Sequence, residues 1–227
     1  MLTETNDYDK LCREFRWEVP ARFNMATVCC DRHADGTGRP ALIFAEEDGS
    51  SQRTSFDELA EASRRFANVL KDDGLARGDR VALFLSQSLE LPIAHLAAFR
   101  AGMISIPLFA LFGEDALEFR LANSAAKAIV TDVAGWKKLQ KIREALPDLK
   151  NVYLVDDEVP AGTKGFWPAL RAASPDFVTV DTSADDPAMI IYTSGTTGNP
   201  KGALHAHRVL LGHLPNVEMI QIGRAHV

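Results

Sequence analysis

Residues 193–202 (TSGTTGNPKG) carry the densest set of chemically useful groups in this chain. Three glycines, Gly195, Gly198 and Gly202, let a backbone turn tightly and bring its N–H groups to a ligand, because no Cβ blocks the approach. Thr193, Ser194, Thr196 and Thr197 line the same turn with hydroxyl donors, and Lys201 adds a point charge suited to phosphate. Donors and a cation on one turn describe a polyphosphate cradle. A purely structural Gly/Thr turn is the plain alternative. The lysine and the apolar run that precedes the turn favour the phosphate reading. Two familiar phosphate loops do not match. A Walker A loop needs Gly directly before its Lys and Ser or Thr directly after, whereas here Pro200 precedes Lys201 and Gly202 follows. No G-x-G-x-x-G fingerprint occurs.

Such a turn needs a strand to deliver it. Residues 188–192 (AMIIY) read as a buried strand leading into it. Upstream, short apolar runs alternate with helical periods. Strands are expected at 40–45, 81–85, 104–108, 128–131 and 152–155. Pro107 suggests a sheet edge or a strand end. Ser55 and Glu58 stand at capping-box spacing, with Phe56, Leu59, Ala60, Phe66, Ala67 and Leu70 at helical intervals behind them and Gly74 placed to stop the helix. Further helices are expected over 89–101, around Leu117 and Leu121, and from Trp136 through Ile142 and Leu146 to Pro147. Residues 46–53 read as a polar turn, and 156–187 as a surface connection with at most a short helix at 166–172. This β/α alternation predicts an α/β fold of mainly parallel sheets flanked by helices.

The composition is that of an ordinary globular chain: 227 residues, 46% hydrophobic and 25% charged. Its 25 basic against 31 acidic residues give a net charge of −6, which argues against a nucleic-acid partner. Trp17, Trp136 and Trp167 are too scattered to form a base-stacking surface. Cys12, Cys29 and Cys30 have no metal-ligand spacing and read as reduced thiols, the last two packed within a helix without a lowered pKa. The start of the chain is polar and acidic, and the apolar stretch 101–113 contains Pro107 and is too short for a membrane span. A cytoplasmic location is expected. His205 and His207, spaced i, i+2, could be ligands or approach a substrate. The structural reading is favoured for them, and for His95 as well.

The string YTSGTTGNPKG (192–202) resembles, nearly residue for residue, the signature loop of the AMP-forming adenylating enzymes. That superfamily includes acyl-CoA synthetases, firefly-type luciferases and peptide-synthetase adenylation domains. Phe23-Asn24, the run 28–33 (VCCDRH) and the run 102–117 (GMISIPLFALFGEDAL) are similar to the acetyl-CoA and medium-chain acyl-CoA synthetase branch. The resemblance extends from about Phe23 to about Glu218, and the loop is its specific part.

The resemblance implies the N-terminal part of an adenylating enzyme's large domain, and a two-step reaction. A small or medium carboxylate attacks the α-phosphate of ATP to give an acyl-adenylate and pyrophosphate, and CoA then displaces AMP. Thr193, Ser194, Gly195, Thr196, Thr197, Gly198 and Lys201 would bind the nucleotide, from Ser194 onward by holding its β- and γ-phosphates. Mg²⁺ is expected with the nucleotide, with no metal ligand and no catalytic residue assigned in this chain. Substrate identity and oligomeric state stay open. The implied organisation is an extension at 1–22, an incomplete adenylation domain at 23–221, and a non-native tail at 222–227. That tail, IGRAHV, back-translates to ATC GGA AGA GCA CAC GTC, which resembles a sequencing-adapter strand, so Arg224 and His226 are set aside. The expected entity is thus a ligase fragment, inactive alone. The alternatives are a non-catalytic nucleotide- or phosphate-binding module and, more distantly, a Walker-type kinase.

Overall fold

The computed structural model describes residues 7–45, 48–193 and 198–217. After helices α1 (Tyr8–Glu14) and α2 (Met25–Cys29), an antiparallel pair forms from β1 (Pro40–Ala45) and β2 (Ser51–Ser55). The polar stretch read as a turn therefore includes a second strand, held by pairing to β1 rather than by an apolar face of its own. Helix α3 (Phe56–Asp72) starts on the expected capping box. The Ser55 N–H donates to Glu58 Oε2 at 2.7 Å, and the Glu58 N–H donates to Ser55 Oγ at 3.2 Å. Gly74, at φ +86°, ends it.

Among the described residues the main sheet has seven strands. Its units are β3 (Arg80–Phe84), α4 (Glu90–Arg100), β4 (Ile104–Leu108), α5 (Glu114–Ser124), β5 (Ala128–Thr131), α6 (Val133–Ile142), β6 (Asn151–Leu154), the two-residue β7 (Lys164–Gly165), α7 (Phe166–Ala172), β8 (Pro187–Thr193) and β9 (Lys201–Ala206), with α8 (Val209–Asn216) last. The strand order is β7-β6-β5-β3-β4-β8-β9. Every pairing is parallel except β8 with β9. From β3 the chain steps to β4 on one side, then returns to β5 on the other. That reversal makes β3 the switch point of a doubly wound sheet.

Pro107 does not mark an edge. Strand β4 is interior, between β3 and β8, but its ladder to β8 is registered at Ser105↔Met189 alone. Pro107 lies beyond that pair, one residue from the strand's end, where a missing N–H is tolerated.

Alternate strand residues feed two cores. Val81 and Leu83 of β3, Val130 of β5 and Tyr153 of β6 pack with α3, α4 and α7 on one face. Ala82, Phe84, Ile106, Ile129 and Val152 pack with α5 and α6 on the other. Burial on both faces is what makes these strands continuous apolar runs in the sequence. The connection at 156–187 is more than a surface link. It carries the expected helix α7, whose Phe166 is fully buried, and Thr182 within it donates through Oγ1 to the Phe23 carbonyl at 2.7 Å.

Candidate functional site

The segment singled out in the sequence joins two paired strands: Thr193 ends β8 and Lys201 begins β9. Strand β8 is parallel to β4, so its carboxyl end emerges on the same edge of the sheet as those of β3, β4, β5 and β6. Open α/β sheets bind ligands along that edge, near the switch point. The antiparallel strand β9 follows here, where a P-loop would be followed by a helix.

Of the seven predicted ligand residues, Thr193, Gly198 and Lys201 are described; Ser194, Gly195, Thr196 and Thr197 lie outside the described residues. Thr193 and Lys201 are register partners, and both are exposed. The Thr193 hydroxyl donates to the Lys201 carbonyl at 3.5 Å. Gly198 sits at φ +95°, a conformation that favours glycine. Gly202 has another reason to be glycine. A Cβ there would lie 2.9 Å from Ile190 Cγ2 and 3.2 Å from Tyr192 Cζ, so its small size serves cross-strand packing rather than ligand approach.

The segment 109–113, after β4, flanks this edge. Lys138 of α6 donates to the carbonyls of Ala110, at 3.2 Å, and Phe112, at 2.8 Å, while Phe109 and Leu111 stay exposed. Sequence reasoning missed Lys138, because its partners are backbone atoms 28 and 26 residues upstream.

The other conspicuous residues are structural. His207 is fully buried in the turn before α8, and its Nδ1 accepts the Met25 N–H at 3.2 Å. Burial, the main cause, lowers its pKa to about 4. His205 is in β9 opposite Met189 and shares no ligand cluster among the described residues. His95 lies 3.1 Å from Ser105 Oγ, and burial lowers it to about 4 as well. Burial raises Cys30 to about 11 and also raises Cys29, so neither is an activated thiol.

The N-terminal segments also hold the fold together. Asn24 caps α2 and donates through Nδ2 to the Phe99 carbonyl at 2.8 Å. Asp31 receives Arg100 in bidentate fashion at 2.8 and 2.9 Å, and Ser63 and Thr179 add hydroxyl acceptors for the same buried guanidinium.

Among the described residues, no three of His, Cys, Asp or Glu are grouped to hold a metal ion. A Mg²⁺ carried on nucleotide phosphates needs no such cage, since it keeps several of its waters. No helix among the described residues is long and apolar enough to cross a membrane.

A doubly wound sheet with the β8–β9 pair at one side and its parallel strands ending along one edge defines an α/β protein of the class that binds ligands along that edge. Residues 30–225 match the family described as AMP-binding enzyme, and the chain belongs to that family. It is 35% identical over 208 residues to an acetyl-coenzyme A synthetase of Syntrophobacter fumaroxidans, covering 84% of this chain and 32% of that protein. It is 35% identical over 206 residues to a human mitochondrial acyl-coenzyme A synthetase, covering 86% of this chain and 36% of that one. The crystal structure of a Brucella canis acyl-CoA synthetase superposes with a TM-score of 0.82 at 31% identity, over 92% of this chain and 39% of that chain. The chain thus spans about a third of the length of the curated relatives it matches.

Proposed function

We propose that this chain supplies the nucleotide-phosphate side of an ATP-dependent acid–thiol ligase. In this reading a carboxylate attacks the α-phosphate of ATP, the bond to the bridging oxygen breaks, and pyrophosphate leaves. The acyl-adenylate then passes its acyl group to the thiol of CoA, with AMP as the leaving group. The observation that carries the reading is the hairpin turn at the sheet's carboxyl edge, with Thr193 and Lys201 bracketing it as register partners. Negative charge builds on the departing pyrophosphate, so donors and a cation fixed there in advance lower the barrier.

Thr193, Ser194, Gly195, Thr196, Thr197, Gly198 and Lys201 are the proposed nucleotide ligands. From Ser194 onward they bind the β- and γ-phosphates, and Mg²⁺ when bound would neutralise part of the phosphate charge. The relatives named as acetyl- and acyl-coenzyme A synthetases support a carboxylate and CoA as the other substrates. We place the adenylation domain at 23–221 behind an extension at 1–22, and the protein in the cytoplasm. The proposed non-native tail, 222–227, lies outside the described residues. The test is thioester formation by the full-length gene product. CoA consumption that requires both ATP and a carboxylic acid supports the ligase. ATP binding without turnover under any acid would favour the non-catalytic module instead.

A further inference from the structure

Tyr192 and Gly202 are two of the four residues of the 192–202 motif that are assigned no contact with the nucleotide, and the structure gives them a shared task. They are register partners at the base of the turn, one step inside Thr193 and Lys201. The Tyr192 ring lies against the place where a Gly202 Cβ would stand, 3.2 Å from Cζ, so it rests on both arms of the hairpin. Its hydroxyl donates to Asn123 Oδ1 at 2.7 Å and lies 3.2 Å from the Arg120 carbonyl, both on the last turns of α5. Burial raises the Tyr192 pKa, so the hydroxyl keeps its proton and remains a donor at neutral pH.

Arg120 completes the arrangement. Only 8% exposed, it lies with its guanidinium carbon 4.0 Å from the Phe112 ring centroid and 5.7 Å from that of Tyr192. Its Nη1 donates to the Ala116 carbonyl at 2.7 Å, and its Nε has no hydrogen-bond partner among the described residues. A buried cation placed between two ring faces gains from their quadrupoles and packs them at a set spacing. Phe112 belongs to the segment after β4, so the stack links that segment, α5 and the hairpin.

We infer that Tyr192, Arg120 and Asn123 are positioning residues that lock the phosphate-binding hairpin to α5, with Gly202 kept small to admit the tyrosine ring. The inference rests on the adenylation reading for its functional consequence, because the lock fixes the backbone from which Thr193 and Lys201 project. Preorganised donors act only if the elements that bear them are held in place.

The lock itself is tested without ATP, by amide hydrogen exchange on the full-length gene product. Tyr192→Phe keeps the ring and removes only the hydroxyl; Asn123→Ala removes its acceptor. Each should speed exchange across 198–206 by about 2- to 10-fold, the equivalent of one net hydrogen bond. Exchange in β5 and β6 should stay unchanged. The double variant should exchange no faster than Tyr192→Phe alone, since Asn123 acts on the hairpin through the hydroxyl that this variant already lacks. Unchanged exchange at 198–206, acceleration spread evenly over the chain, or additive effects would each overturn the lock.

The consequence is read in the full-length gene product. Tyr192→Phe should lower kcat/KM for ATP about 3- to 10-fold while leaving KM for the carboxylate within about 2-fold, on the same one-bond scale. An unchanged kcat/KM for ATP, or a rise in KM for the carboxylate as large as the loss for ATP, would overturn the positioning role. A wild-type protein without ATP-dependent turnover would refute the adenylation reading instead, and the exchange result would still decide the lock.

Discussion

Thr193 and Lys201 face each other as register partners across the β8–β9 ladder, with the threonine hydroxyl donating to the lysine carbonyl at 3.5 Å. One pair thus closes the ladder, and both of these proposed nucleotide ligands stand at the sheet's carboxyl edge. A mobile side chain could supply the same charge. A hairpin supplies it with its direction already set, which is the condition for electrostatic stabilisation of a leaving group.

Gly202 makes a first test of that base. Gly202→Val would drive new carbon atoms into Ile190 and Tyr192, where even a Cβ lies at 2.9 and 3.2 Å. Overpacking of this kind costs about 1–3 kcal/mol. For a domain of this size each kcal/mol lowers the melting temperature by about 2–4 °C. Thermal unfolding followed by circular dichroism checks this, and an unchanged melting temperature would contradict the packing assigned to Gly202.

Asp31 provides a second. Its carboxylate is the charged partner of fully buried Arg100, at 2.8 and 2.9 Å. Asp31→Ala leaves the guanidinium in place with its hydroxyl acceptors and only part of its compensation. Breaking a buried pair from one side costs about 3–5 kcal/mol. Urea unfolding should show a loss of that order, and the double change Asp31→Ala with Arg100→Met should recover part of it.

His207 predicts a pH dependence with a definite sign. Its Nδ1 accepts the Met25 N–H, so the neutral ring carries its proton on Nε2, and a second proton would displace that bond. Its pKa is lowered from 6.5 to about 4 in the folded chain. Between those values the unfolded chain binds more protons. The stability is therefore full above about pH 6.5 and falls as the pH drops toward 4, by an amount on the order of 3 kcal/mol. Urea midpoints measured from pH 8 to 4 should show this slope. His207→Gln should flatten it, leaving the part that His95, also lowered to about 4, contributes.

Much of this was legible in the sequence because the signals are local. The capping box of Ser55 and Glu58 and the apolar runs of β3, β4, β5 and β8 need only neighbours a few residues away. Strand β2 was not legible, since SQRTS has no apolar face and becomes a strand only against β1. Nor were the contacts that hold the site. Tyr192 reaches back 72 residues to Arg120, and His207 reaches 182 residues to Met25. A single sequence records no such pairs, and Arg120 by itself reads as one more surface charge on a helix.

The central claim is tested most directly by carboxylate-dependent exchange of labelled pyrophosphate into ATP, measured on the full-length gene product and on its Lys201→Ala variant. Exchange reads the adenylation half-reaction alone, without CoA. The account predicts exchange that requires a carboxylic acid and falls by about 10²-fold or more in Lys201→Ala, the scale for losing one preorganised electrostatic contact in the transition state. Exchange that is absent with every acid tried, or that proceeds equally well without Lys201, would contradict it.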